Sequence, residues 1–297
     1  MDRLPNFIGI GAPKAGTTWL ANCLAEHPDI FVPIQKELNF FNYHSIEGRL
    51  PEYTVYFKKA SNYKRVGELS TRYYTSLVAQ ERIKRQIPDI KLIASVRNPI
   101  DQVYSHFWHL KRQNFHQWDR ANVPDTVEEA LEKFPDSLLP SSLHAQSLKR
   151  WLSYFEKHQL HIIVYDDIKD KPSDVIKQLF DFLEVKNDFS PSFVTKQNTQ
   201  TRMGVSPKSR THEQIRSATY QLLVNQVYQP AKKLLGVHRA TYIKDKLPIR
   251  KVMDGLFMKK GYPKMNGHTR EQLIPFFKED ILSLQDLIQR DLSHWLK

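Results

Sequence analysis

An α/β fold, a central parallel sheet flanked by helices, is what this sequence predicts. Short apolar runs rich in Ile and Val alternate with stretches of helical period along the chain. No linker, low-complexity tract or internal repeat interrupts them, so residues 1–297 read as a single domain.

Four runs are the expected strands: Asn6–Ile10, Arg65–Leu69, Lys91–Val96 and Leu160–Tyr165. Each has the length of a buried strand rather than a helix. Helical period covers Thr17–His27, Thr75–Gln86, Ile100–Arg112, Ser141–His158 and Pro172–Leu183. Strands alternating with helices predict parallel pairing with crossovers. The last stretch, Thr269–Trp295, places Leu273, Phe276, Phe277, Ile281, Leu284, Leu287 and Ile288 on one face, an amphipathic helix for the same core. Two segments escape the alternation. Gln113–Pro140 is polar, with Trp118, three prolines and a short helix expected at Thr126–Phe134. Residues 236–265 hold eight Lys or Arg against two Asp.

The balance is basic, 44 Lys and Arg against 32 Asp and Glu, a formal charge of +12. Such an excess attracts polyanions without choosing among them. Nucleic acid is disfavoured as a partner, because neither an Arg/Lys-rich repeat nor a basic-aromatic ladder is present. The single Cys23 excludes an intrachain disulfide and fits a reducing compartment. The apolar run near the N-terminus is too short for a signal sequence, and no stretch reaches membrane-spanning length. A cytoplasmic protein without membrane association is expected; the sequence leaves the oligomeric state open.

The sharpest signal follows the first strand. Gly11-Ala-Pro-Lys14-Ala15-Gly16-Thr17-Thr18-Trp19-Leu20 opens a helix. Backbone N–H groups at a helix start make an anion cradle, Gly16 permits close approach, and Thr17 and Thr18 add hydroxyls. The Walker pattern requires lysine where Thr17 stands, while Lys14 comes three places earlier. The loop is therefore P-loop-like, yet unlike that of ordinary nucleotide triphosphatases. The plain alternative is a glycine turn beside a surface lysine.

Pro13-Lys14-x-Gly16-Thr17-Thr18-Trp19-Leu20 resembles the 5′-phosphosulfate loop of sulfotransferases that use 3′-phosphoadenosine 5′-phosphosulfate (PAPS). The resemblance implies that Lys14 contacts the bridging oxygen and sulfuryl group, with Ala15, Gly16, Thr17, Thr18 and Trp19 completing the loop around the 5′-phosphate. A second segment, Lys91 to Ser105, runs strand-into-helix through Arg97-Asn98-Pro99. Arg97 falls at the strand's carboxyl end, where α/β sheets bind ligands, and its planar fork suits a terminal phosphate. By itself the segment equally fits a capping Asn98 beside a solvated Arg97. It resembles the family's 3′-phosphate motif, which assigns Arg97 and Ser105 to that group. Lys259-Lys260-Gly261-Tyr262-Pro263 is similar to the loop that closes over the 3′-phosphate in heparan-type sulfotransferases. Ser206–Arg210 and Phe277–Trp295 look like bacterial and cyanobacterial-type members. The resemblance thus implies a cofactor core at about 5–112 and 141–297, with an acceptor-side insertion at about 113–140.

Sulfuryl transfer to an alcohol or amine needs a proton acceptor. Glu37, in Lys36-Glu37-Leu38-Asn39-Phe40-Phe41, sits in an element similar to the one that carries the general base of glycan sulfotransferases. The plain alternative is a surface Glu paired with Lys36. Many relatives carry His where Asn39 stands, so Glu37 is expected to act alone. Glu68-Leu69-Ser70-Thr71 resembles a segment in which relatives have lysine at Leu69, and Arg72 is the expected substitute. The aromatic stretch 40–56, with Phe41, joins Arg72, Trp108, His116 and Trp118 as the expected acceptor wall. His106 reads as a packed helix residue. No metal-ligand spacing occurs. Asp166-Asp167 mimics a Walker-B ending and is expected to cap its strand. The reading is a sulfotransferase, with PAPS as donor, adenosine 3′,5′-bisphosphate (PAP) as product and a small-molecule acceptor, such as a natural product of specialised metabolism. A saccharide or carrier-tethered acyl chain is the alternative acceptor. A P-loop kinase using Asp166 for Mg²⁺, and a non-catalytic polyanion-binding protein, are the alternatives outside the family.

Overall fold

The computed structural model of the chain describes residues 3–113, 124–195, 205–235 and 249–297. It divides into two compact units. One comprises Met1–His106, Asp125–Thr201 and Met265–Lys297, the other Phe107–Pro124 and Arg202–Lys264.

In the first unit the described residues build a five-stranded sheet, all neighbours parallel. In sequence order its strands are β1 (Phe7–Gly11), β2 (Ile30–Phe31), β3 (Arg65–Leu69), β4 (Lys91–Val96) and β5 (Leu160–Val164), and in space they run β2-β3-β1-β4-β5. Every residue of β1 is buried, as a central parallel strand covered on both faces requires. Side chains alternate across the pleat, so Phe7, Ile93 and Ile163 share one face. There they meet Trp19, Leu20, Cys23 and Leu24 of the helix Thr17–Glu26, and Ile176, Leu179 and Phe180 of the helix Pro172–Phe182. The long helix Gly267–Ile288 buries Leu273, Phe277, Ile281 and Leu284, part of the apolar face its sequence predicts, while Phe276 stays exposed.

Three differences from the sequence reading have tertiary causes. β2 was not expected, because two residues between Pro28 and Pro33 carry no hydrophobic period; its pairing with Arg65 and Val66 is tertiary. The helix expected over Ser141–His158 breaks into a 3₁₀ turn Pro140–Ser142, a helix His144–Leu152 and a second 3₁₀ turn Lys157–Gln159. The Asp280 carboxylate accepts the N–H groups of Ala145 and Gln146 (both 3.0 Å) and so fixes where that helix starts. Finally, Asp166 and Asp167 make no strand cap. They sit in the first turn of the helix Tyr165–Asp170 and bind the C-terminal segment. Asp167 takes both Nη atoms of Arg290, while Asp166 accepts from Trp295 Nε1 (2.7 Å) and His294 Nε2 (3.1 Å).

In the second unit β6 (Val205–Pro207) pairs antiparallel with β7 (Met258–Lys260), in the register Val205↔Lys260, Ser206↔Lys259. Two segments far apart in sequence thereby form one ribbon. The Ser206 hydroxyl donates to the Gly261 carbonyl at 2.8 Å. Lys208 Nζ donates to the Leu256 carbonyl (2.7 Å) at the end of the helix Ile249–Phe257, where a cation suits the dipole.

Candidate active site

The loop after β1 enters the left-handed region at Lys14 (φ 65°) and at Gly16 (φ 89°), which precedes the helix Thr17–Glu26. No side chain caps that helix, and its first backbone bond is Leu20 N–H to the Gly16 carbonyl (3.1 Å). The amides of the first turn therefore have no intrahelical acceptor, and the dipole adds positive potential. A Cβ at Gly16 would lie 3.0 Å from Ile168 Cδ1 and 3.1 Å from Tyr165 Cδ2. Glycine is what lets the loop lie this close to the chain after β5. Trp19 belongs to the motif but not to the cradle: its ring is buried in the core and its Nε1 donates to the Phe193 carbonyl at 2.9 Å.

Arg97 stands at the carboxyl end of β4, as expected, and both local readings of its segment hold in part. Asn98 Oδ1 accepts the Ile100 N–H (3.0 Å), a cap. Arg97 itself is not simply solvated: Nη1 donates to the Lys14 carbonyl (3.0 Å) and the guanidinium lies 4.8 Å from the Tyr165 ring centroid. The segments of Lys14 and Arg97 thus touch. Ser105 is buried two turns along the helix Pro99–Gln113. His144 fixes the Arg97 backbone. Its Nε2 donates to the Arg97 carbonyl (2.8 Å) and its Nδ1 accepts from the Tyr74 hydroxyl (2.9 Å), while burial pushes its pKa down to about 4. His106 binds Ser141 Oγ (3.1 Å); burial, then the charge of Lys14, push it down to about 4. It is a packed neutral residue, as the sequence indicates.

Glu37 lies beside the end of β3. Its carboxylate accepts from Thr71 N–H (2.7 Å) and Thr71 Oγ1 (3.1 Å), and its own N–H donates to the Leu69 carbonyl (3.2 Å). Lys36 donates instead to Thr18 Oγ1, at the end of the loop after β1 (3.2 Å). A Cβ on Gly11 would come within 3.0 Å of the Thr71 carbonyl, so the Glu37 support packs against the start of that loop. Anion cradle, cations and carboxylate gather at the carboxyl ends of adjacent parallel strands, where such sheets bind ligands.

Beneath Glu37 lies a carboxyl that the sequence reading names in a family-like segment but gives no role. Glu68 is 1 % exposed, and its oxygens accept from Tyr73 OH (2.9 Å), Tyr53 OH (3.2 Å) and Ser70 Oγ. Burial pushes its pKa up to about 7, against the lowering pull of those hydroxyls. Lys36 and Thr71 stand in the segments around Glu37 and Glu68 without a site role drawn from them, whereas Tyr165 and His144 reach the site from separate elements, and no local pattern marks them.

The residues expected to form the acceptor wall are placed in different surroundings. Phe41 is fully buried: it packs against Tyr53 (5.2 Å between centroids) and Tyr73 (6.0 Å), and Phe40 stacks on Tyr53 at 4.7 Å. These rings support the Glu37 loop instead of lining open space, because their apolar area is spent in the core. Arg72 is exposed. His116 and Trp118 lie outside the described residues. In the second unit Trp108 stacks on Tyr262 (6.0 Å, 12°) with Lys111 Nζ 5.7 Å from the Trp108 ring centroid. Lys259 is exposed, and the Lys259–Lys260 backbone lies in the β6–β7 ribbon, with Gly261 following at φ 85°. Asp166, which a kinase reading needs for Mg²⁺, is engaged by Trp295, His294 and, at 3.0 Å, Lys169.

Comparison with known proteins agrees with this geometry. The mouse bifunctional heparan sulfate N-deacetylase/N-sulfotransferase 3 is 26% identical over 317 residues, covering 100% of this chain and 31% of that protein. The chain spans less than a third of the length of the curated relatives it matches first. A sulfotransferase from Alicyclobacillus acidocaldarius superposes with a TM-score of 0.67 at 23% identity, over 99% of this chain and 100% of its own. The sulfotransferase domain from the curacin biosynthetic pathway gives 0.51 at 21% identity, over 68% and 81%. These two likenesses establish the fold. The family model described as "Sulfotransferase domain" matches residues 4–225, and the chain belongs to that family.

Proposed function

We propose that this protein transfers a sulfuryl group from PAPS to a hydroxyl or amine of a small-molecule acceptor, working as one sulfotransferase domain. The observation that carries the reading is the convergence, at the carboxyl ends of three neighbouring strands, of the Lys14 loop, Arg97 and a Glu37 carboxylate oriented by Thr71. The residues fit the donor. An uncapped helix start and a glycine that a Cβ would obstruct make the 5′ cradle, and Arg97 bonded to the Lys14 carbonyl brings a guanidinium to it.

When bound, PAPS supplies the sulfuryl group and departs as PAP. Lys14 and the amides of Gly16, Thr17 and Thr18 would hold the 5′ end and offset negative charge developing there. Arg97 and Ser105 would hold the 3′-phosphate. Glu37 removes the proton from the acceptor, and the Thr71 N–H and hydroxyl keep its carboxylate aimed. Lys259, Lys260, Gly261 and Tyr262 are assigned to the donor on their motif alone, and Trp108, Arg72, His116 and Trp118 to the acceptor on their residue type alone. The single Cys23 supports a reducing compartment such as the cytoplasm. Among the described residues no helix is long and apolar enough to cross a membrane.

A second acceptor class has its own support. The relatives matched first are named for heparan sulfate N-sulfotransferase activity, so a saccharide amine is the competing substrate. Incubation with PAPS and panels of phenols, amines, oligosaccharides and acyl carriers, read by mass gain of the acceptor, decides between them. Calorimetry should give PAP binding without Mg²⁺ and much weaker ATP binding. Mg²⁺-dependent ATP binding tighter than PAP would replace the reading with the kinase alternative.

A further inference from the structure

We propose that Glu68 is a positioning residue that holds the Glu37 loop in its working shape through two relayed hydroxyls. The inference rests on Glu37 being the general base. As a carboxylate, Glu68 has only acceptor capacity, so the hydroxyls of Ser70 and Tyr73 must turn their single protons toward it. Their oxygens are then left to accept from the loop. Ser70 Oγ accepts the Asn39 N–H at 2.9 Å, and Tyr73 OH accepts the Phe41 N–H at 3.3 Å. Asn39 Nδ2 in turn donates to the Glu37 carbonyl at 2.8 Å. One buried carboxylate thereby sets the direction of two bonds to the loop, and the Asn39 side chain carries one of them on to the residue proposed to take the proton.

The loop needs such an anchor. Glu37 (φ 60°) and Asn39 (φ 52°) both sit in the left-handed region, which side-chain-bearing residues keep only when their surroundings hold them there. Neither lies in a helix or strand that could do so: Phe40–Asn42 is one 3₁₀ turn, and the Asn39 side chain does not cap it. Tyr53 OH, the third donor to Glu68, comes from the segment Leu50–Thr54 and ties a third stretch of chain to the same carboxyl. A glutamine at this position would offer an N–H to one hydroxyl. That hydroxyl's proton would then face the loop amide, donor against donor.

The test is Glu68→Gln at about pH 8, above the pH at which Glu68 titrates, with amide exchange of Asn39 and Phe41 read by NMR. We expect exchange at one or both amides roughly tenfold faster. We also expect kcat to fall roughly tenfold with PAP affinity held within about twofold. In Glu37→Gln/Glu68→Gln the fall should be no greater than in Glu37→Gln alone, because Glu68 acts through Glu37. Unchanged exchange at both amides overturns the proposal. So does a double variant whose losses multiply, which would give Glu68 a separate role. An active Glu37→Gln instead removes the base assignment, and the exchange rates still decide whether Glu68 holds the loop. Should Glu68→Gln fail to fold, Ser70→Ala and Tyr73→Phe decide. The first should loosen the Asn39 amide alone and the second the Phe41 amide alone; no change in either overturns the relay.

Discussion

Glu37 and Glu68 are carboxyls of the same neighbourhood given different work by their surroundings. Glu37 is half-buried and held by one threonine. Glu37→Gln keeps its shape and hydrogen bonding but cannot accept a proton, so kcat should fall about 10²–10⁴-fold while PAP affinity barely changes. Steady-state kinetics beside calorimetry checks this; retention of more than about a third of wild-type kcat moves the base elsewhere. Glu68 makes a stability prediction with a definite sign. Its pKa is about 7 when folded against 4.5 for the free group, so the folded state holds the extra proton between those values. Stability should therefore fall as pH rises from about 4.5 to 7 and level off above, by on the order of 1–3 kcal/mol. His106, His144 and His161, each pushed down to about 4 chiefly by the desolvation of its ring, act in the opposite direction over about pH 4 to 6.5, since the unfolded chain binds their protons first. The measurement is accordingly a difference: urea unfolding of wild type and Glu68→Gln across this range. The wild-type advantage should grow more negative with rising pH, and a constant difference would remove Glu68 as the titrating group.

At the scale of elements, legibility followed locality. β1, β3, β4 and β5 are apolar runs that carry their own signal, and the Lys14 loop and the Arg97 turn are contiguous motifs. β2 is defined only by its partner β3, and the start of the His144–Leu152 helix is set by Asp280, more than a hundred residues away. Thr71 and His144 act at the site through the same kind of distant meeting. The C-terminal segment is the clearest case. Its sequence resembles family endings, yet what it does is visible only where Trp295, 1 % exposed, bonds Asp166, and its carbonyl accepts from Asn98 Nδ2 (3.2 Å) next to Arg97. The last turn is therefore a brace between the ends of β4 and β5. Trp295→Ala should cost about 3–5 kcal/mol in denaturant unfolding, the range for emptying a buried tryptophan site. A loss below about 1 kcal/mol would make this segment a peripheral tail.

For the whole molecule, the open contest is between a specific donor site and a generally basic surface. A charge of +12 attracts any polyanion at long range, and salt screens that attraction strongly. The donor site proposed here depends on short contacts instead: amides of an uncapped helix start, Lys14, and an Arg97 guanidinium tied to the Lys14 carbonyl. Partly buried contacts of this kind are screened much less than exposed ones. PAP and a polyphosphate should consequently part company as salt rises. Between about 0.1 and 0.5 M NaCl, PAP affinity should weaken less than about tenfold and polyphosphate affinity more than about a hundredfold. Lys14→Ala should weaken PAP by at least about tenfold, the scale of a lost hydrogen bond to a charged group, and leave polyphosphate nearly unchanged. Calorimetry at both salt concentrations reads all four numbers. Equal salt sensitivity for the two ligands, with Lys14→Ala neutral for both, would mean that the basic surface and not the loop after β1 captures the donor.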